Sequence, residues 1–240
     1  MDDAKLSAVR ALIFDLDGTL IDSKLDLIHA VNAMLVEMGR ERLSAEVISG
    51  YIGHGAPVLV ARALGVGAPE QECAHALQFF LKYYEEHKLD NTCAYPGMEE
   101  TLAGLSRQRL PMAVLTNKPV RISVRILEAL GLTKYFRSIY GGNSFETKKP
   151  DPLGANTILR EMGVSAHEAA IVGDSEVDVQ TARNAGTAAI AVNFGFGVHD
   201  RKSYPADAYI DRFADLSSVI ANGIKRAEGR ARQRRYSNSK

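Results

Sequence analysis

The stretch that decides the fold is Val9-Arg10-Ala11-Leu12-Ile13-Phe14-Asp15-Leu16-Asp17-Gly18-Thr19-Leu20. Residues 9–15 are a short apolar run that ends in acid. Such a run reads as a strand buried on both faces, with polar groups at its C-terminal end. Gly18 then permits a sharp turn and brings backbone N–H groups near an anion. Thr19 is a short polar residue suited to steadying that turn. Two carboxylates spaced two residues apart at a strand end can face the same way. One can attack while the other moves a proton.

Working outward, residues 23–38 carry Leu27, Val31, Leu35 and Met38 at helical spacing and stop at Gly39. More helical text follows to about residue 94, broken at Gly53-His54-Gly55 and between Gly65 and Pro69. Pro57 fits the first turn of a helix beginning near Gly55. Residues 70–87 read as a further helix. Tyr95-Pro96-Gly97 marks a turn, after which strands and helices alternate. Helices are predicted over 98–107, 120–130, 152–162 and 177–185. Strands are predicted over 112–115, 138–140, 169–172 and 188–192. This pattern predicts an α/β fold, a Rossmann-like parallel sheet covered on both faces, with a helical insertion after the first strand.

Strands in such a sheet bring distant residues to one edge, where ligands bind. Three strand ends are polar: Asp15 with Asp17, Thr116 with Asn117, and Asp174 with Asp178. Four carboxylates at one edge repel unless a cation lies among them. Hard oxygen ligands without His or Cys companions favour Mg²⁺ over Zn²⁺.

These residues resemble the haloacid dehalogenase superfamily in its phosphatase branch. The resemblance rests on Asp15-Leu16-Asp17-Gly18-Thr19-Leu20, on Thr116-Asn117, on Lys149 in Lys149-Pro150-Asp151-Pro152, and on Gly173-Asp174-Ser175 with Asp178 beyond. It covers about residues 9–222. It implies a catalytic core over 1–22 and 95–222, with a mobile helical cap over 23–94 and hinges near 22–23 and 94–96. It makes Asp15 the nucleophile and Asp17 the general acid, then base. Lys149 pairs with the nucleophile and phosphate. Gly18, Thr116, Asn117 and Lys149 hold the phosphoryl group. Mg²⁺ is held by Asp15, the Asp17 main-chain carbonyl and Asp174, with Asp178 supporting from behind. Dehalogenases lack the second aspartate, so Asp17 points to phosphate chemistry. His54, Arg62 and Lys118 are candidates for contacting a substrate anion.

Softer features (Gly53-His54-Gly55, Thr116-Asn117-Lys118, and residues 173–186) are most similar to the phosphoglycolate phosphatases. The expected reaction is Mg²⁺-dependent hydrolysis of a small phosphorylated metabolite, 2-phosphoglycolate first. Pyrophosphatase and sugar-phosphate or nucleotide phosphatase are the alternatives.

The 240 residues carry 46% apolar and 24% charged side chains, an ordinary globular balance. Lys plus Arg equals Asp plus Glu at 29 each. Residues 225–240 hold seven basic side chains and one acidic, +7 − 1 = +6, so the remainder is mildly acidic. Residues 223–240 are therefore expected to be a disordered basic tail. Nucleic-acid binding rests on that tail alone, and a non-catalytic protein docking through it is the alternative of another class. Cys73 and Cys93 lack metal-ligand spacing and fit reduced thiols. With no signal core at Met1-Asp2-Asp3 and no membrane-spanning run, the chain is expected to be cytoplasmic, a monomer or homodimer.

Overall fold

The computed structural model describes residues 9–197 and 200–224. The predicted tail lies, from residue 225, outside the described residues. Strand β1 (Ala11–Phe14) is followed by a two-residue strand β2 (Ile21–Asp22). Helices α1 (Lys24–Glu37), α2 (Ala45–Ser49), α3 (Ala56–Leu64) and α4 (Glu70–His87) come next, then β3 (Cys93–Ala94). The remaining order is α5 (Met98–Arg107), β4 (Met112–Leu115), α6 (Val120–Ala129), β5 (Ser138–Tyr140), α7 (Leu153–Met162), β6 (Ala169–Gly173), α8 (Glu176–Ala185) and β7 (Ala188–Val192). Strand β8 (Ala208–Ile210) and helix α9 (Leu216–Asn222) close the fold; neither was expected from the sequence.

Six strands form one parallel sheet in the order β5-β4-β1-β6-β7-β8. The chain builds outward from β1 through β4 to β5, then crosses to β6 on the other side of β1. That reversal puts the ends of β4, β1 and β6 side by side, where an open parallel sheet binds its ligand. The strands are buried on both faces with a period of two. Leu12 and Phe14 join Val114, Val172 and Ile190 in one apolar cluster. Ala11 and Ile13 join Ala113, Leu115 and Ile171 in the other. Ile122, Ile126 and Leu102 cover the first face; Ile158, Leu159, Val179 and Ala182 cover the second.

The four helices α1–α4 pack together over the sheet edge, and their apolar interior (Val31, Met34, Leu59, Phe80) is continuous with the first cluster. Strands β2 and β3 pair antiparallel, joining the chain's exit to its return. Asp26, in the first turn of α1 and 1% exposed, locks that junction. Its carboxylate accepts hydrogen bonds from the backbone N–H groups of Asn91 and Thr92, from Asn91 Nδ2 at 2.8 Å and from Thr92 Oγ1 at 2.7 Å. A buried carboxylate with its oxygens this fully satisfied is held in place. Among the described residues no helix is long and apolar enough to cross a membrane.

Candidate active site

Asp15 follows β1, Thr116 follows β4, and Asp174 follows β6. Asp15, Asp174 and Asp178 are buried, and each offers an oxygen within 4.8 Å of the others. Lys149, on the loop before α7, stands between two of them. Its Nζ lies 2.8 Å from Asp15 Oδ1 and 2.6 Å from Asp178 Oδ1. Burial works against the Lys149 ammonium, but Asp15 and Asp178 outweigh it and hold its pKa above the ordinary lysine value. Burial and the Asp178 and Asp17 carboxylates push Asp15 up to about 6, against the pull of Lys149. Burial, then Asp178 and Asp15, raise Asp174 well above the usual carboxylate range.

The second oxygen of Asp178 closes a capping box at the start of α8, accepting from Ser175 N at 3.1 Å and Ser175 Oγ at 2.6 Å. Asp178 is thus both a helix cap and the anchor of Lys149. Asp174 Oδ2 accepts the backbone N–H groups of Phe196 at 3.0 Å and Gly197 at 2.6 Å. The loop after β7 supplies these donors, and sequence reasoning missed it. A Cβ on Gly195 would lie 2.3 Å from Asp174 Cβ, so only glycine lets this loop come so close.

Three residues act differently from their expected roles. Gly18 has φ +82°, but its N–H donates to Ile21 O at 2.9 Å and is not offered to an anion. Its contribution is space: a Cβ there would sit 1.9 Å from Asp174 Oδ2. The Asn117 amide, expected on the phosphoryl group, donates to Lys149 O and to Gly53 O, both at 3.0 Å. Those two carbonyls use both of its N–H groups, and Asn117 becomes a clamp between the lysine loop and the α2–α3 loop. The Thr19 hydroxyl, expected to steady the turn, is buried without a hydrogen-bond partner. Thr116 is 3% exposed and accepts from Lys118 N at 3.3 Å, which leaves its O–H available to the cavity.

Asp17 sits beside Asp15 on a cavity of about 50 Å³ between the helices and the sheet edge. Its carboxylate accepts from Ser23 Oγ at 2.5 Å and from Lys118 Nζ at 2.8 Å. Lys118 also donates to Tyr84 Oη at 2.6 Å, a residue the sequence reading did not single out. His54 and Arg62 line a separate cavity beside Ser175 and Glu176. Burial, then the Arg62 charge, lowers the His54 pKa, and its Nδ1 is buried without a partner. Lys148, the neighbour of Lys149, donates to His54 O at 2.8 Å.

Three buried carboxylates against one lysine leave a charge deficit that a hard divalent cation would fill. Asp15 and Asp174 fit that role; Asp178 has both oxygens engaged by Lys149 and Ser175.

Residues 12–192 match the family model described as haloacid dehalogenase-like hydrolase. This chain belongs to that family. Phosphoglycolate phosphatase of Pseudomonas syringae pv. tomato is 41% identical over 192 residues, 78% of this chain and 70% of the relative. Phosphoglycolate phosphatase of Chromobacterium violaceum is 38% identical over 222 residues, covering 91% of this chain and 99% of the relative. The crystal structure of a predicted phosphoglycolate phosphatase from Haemophilus somnus 129PT superposes with a TM-score of 0.84 at 30% identity, over 89% of this chain and 98% of that one. This haloacid dehalogenase-like chain is a phosphatase, and its parallel sheet with flanking helices is the fold expected from the sequence.

Proposed function

We propose that the chain hydrolyses 2-phosphoglycolate to glycolate and phosphate through a phosphoryl-aspartate on Asp15, with Mg²⁺ as cofactor. The observation that carries this reading is the contact between Lys149 and Asp15 at the end of β1, with Asp17 on the same cavity. In the first step an Asp15 carboxylate oxygen forms a bond to phosphorus, and the bond from phosphorus to the leaving oxygen breaks. Asp17 supplies the proton that the departing alkoxide takes. In the second step Asp17 accepts a proton from water, the water oxygen bonds to phosphorus, and the Asp15–phosphorus bond breaks. Splitting one hard displacement into two lowers each barrier. A positioned acid–base contributes about 10²- to 10⁴-fold.

Lys149 places positive charge beside the attacking carboxylate and keeps it oriented. Thr116 offers a hydroxyl to the phosphoryl oxygens. Asp15, Asp174 and the Asp17 carbonyl would hold Mg²⁺, which when bound offsets carboxylate and phosphoryl charge. Buried groups around the cavity exclude bulk water, so each charge acts at greater strength. Two free thiols, Cys73 and Cys93, and a soluble substrate fit a cytoplasmic reaction.

The test is kcat/KM for 2-phosphoglycolate, sugar phosphates, nucleotides and pyrophosphate, each with Mg²⁺ and with chelator. A Mg²⁺-dependent preference for 2-phosphoglycolate is expected. A flat profile, or turnover indifferent to chelator, contradicts the reading.

A further inference from the structure

Beyond the phosphoryl end, the cavity over Asp15 is apolar. Leu27, Ile52, Leu59, Phe80 and Leu81 line it, mostly from the helical cap. Among its described lining residues Lys118 is the one cation. The other nearby cations are paired or placed elsewhere. Lys149 is held by Asp15 and Asp178, Lys148 donates to His54 O, and Arg62 lines the separate cavity near Glu176.

Lys118 is 6% exposed, and its position is defined on two sides. Its Nζ donates to Asp17 and to Tyr84 Oη, and lies 4.4 Å from the centre of the Tyr84 ring. Tyr84 is 2% exposed and stands on α4 of the cap. Because its oxygen accepts from Lys118, its own O–H proton remains to be donated. Burial pushes the phenol up to about 12, against the pull of Lys118, so that proton is retained at neutral pH. Nζ reaches Asp17 Oδ1 at 2.8 Å, Asp17 Oδ2 at 3.0 Å and Tyr84 Oη at 2.6 Å, so its three N–H donors are all directed; the second contact to the one Asp17 carboxylate duplicates the first, and that N–H is the one that turns to an entering carboxylate. A cation and a neutral O–H donor set in a dry, apolar wall match the two oxygens of a carboxylate.

We propose that Lys118 Nζ and Tyr84 Oη form the subsite that receives a carboxylate at the far end of the substrate. Selection for a small acidic phosphomonoester is then made by a core lysine and a cap tyrosine together. The subsite is complete only with the cap seated, because Tyr84 arrives with α4. This inference rests on the substrate reading above and assigns its selectivity to two residues.

The experiment compares 2-phosphoglycolate with 2-hydroxyethyl phosphate, which carries a hydroxymethyl group in place of the carboxylate. kcat/KM is measured for wild type, Lys118→Met and Tyr84→Phe with Mg²⁺. Calorimetric binding of 3-phosphonopropionate and of its neutral partner 3-hydroxypropylphosphonate gives the same comparison without turnover. The ratio of acidic to neutral ligand is expected to fall about 10- to 100-fold in Lys118→Met, and less in Tyr84→Phe, in both readouts. The ratio removes any general effect of Lys118 on Asp17. Tyr84→Phe keeps the ring and carries the test if Lys118→Met does not fold. Variants that keep the wild-type ratio overturn the subsite while leaving the substrate reading intact. A wild type that does not distinguish the two compounds overturns both.

Discussion

Lys149 Nζ stands 2.8 Å from Asp15 Oδ1, and both side chains are almost wholly removed from solvent. The pair brings a positive charge to the carboxylate that burial and two neighbouring acids would otherwise push toward protonation. Breaking a buried pair leaves an uncompensated charge and costs about 3–5 kcal/mol. Lys149→Met is therefore expected to lose stability at pH 8 without metal, and to lose most of its turnover. The stability loss should shrink at pH 5, where Asp15, raised to about 6, can take up a proton. Denaturant melts at the two pH values check this; equal losses at both would contradict it.

Gly18 and Asp174 are in close approach. Alanine at position 18 meets a φ of +82° and a Cβ position 1.9 Å from Asp174 Oδ2. The backbone cost alone is about 1–2 kcal/mol. Displacement of Asp174 adds a loss of metal affinity. Gly18→Ala is expected to fold, with weaker Mg²⁺ binding by titration calorimetry and a strong fall in turnover. Unchanged Mg²⁺ affinity would show that Asp174 does not depend on this glycine.

The raised pKa values give a pH signature. Asp15 at about 6, and Asp174 also raised, bind protons in the folded chain that the unfolded chain has released. The stability this contributes is complete below the unfolded pKa near 3.8 and disappears as pH rises through the folded value. Metal-free protein should therefore lose this contribution between about pH 4 and 6. Mg²⁺, which competes with those protons, should raise Tm clearly at pH 7.5 and little at pH 4.5. Thermal scans with Mg²⁺ and with chelator at both pH values decide it, and an equal Mg²⁺ effect at both would count against Asp15 and Asp174 as ligands.

Asp17→Asn removes a proton donor while keeping the shape that Ser23 and Lys118 contact. Turnover of an alkyl phosphate should fall by about 10²- to 10⁴-fold. A nitrophenyl phosphate, whose leaving group needs no proton, should lose far less in its phosphorylation step, read by burst kinetics. Equal losses for both would remove Asp17 from the acid role.

The parts of this site carried by side-chain pattern were readable in the chain. Apolar runs ending in Asp15, Thr116 and Asp174 marked adjacent strand ends, because a buried parallel strand is a continuous apolar run. Strands β2 and β3 are two residues each, too short to show any period. The donors to Asp174 are backbone N–H groups of Phe196 and Gly197, which have no residue-type signature; the glycines in 193–197 were the only hint. Tyr84 lies on an amphipathic helix, where it looks like any core aromatic. The family resemblance puts Asn117 on the phosphoryl group, whereas geometry turns both its side-chain N–H groups to carbonyls. Sequence reports which groups are present at a strand end, not which of them already have partners.

The central claim is that Asp15 carries the phosphoryl group. A single-turnover reaction with excess enzyme, quenched rapidly and treated with borohydride, converts an acyl phosphate on aspartate to homoserine. Peptide mass mapping then locates it. Homoserine at position 15, present with substrate and Mg²⁺ and missing in Asp15→Asn, is the predicted result. Full substrate turnover with aspartate intact at position 15 throughout the time course, or the modification at another residue, would contradict it.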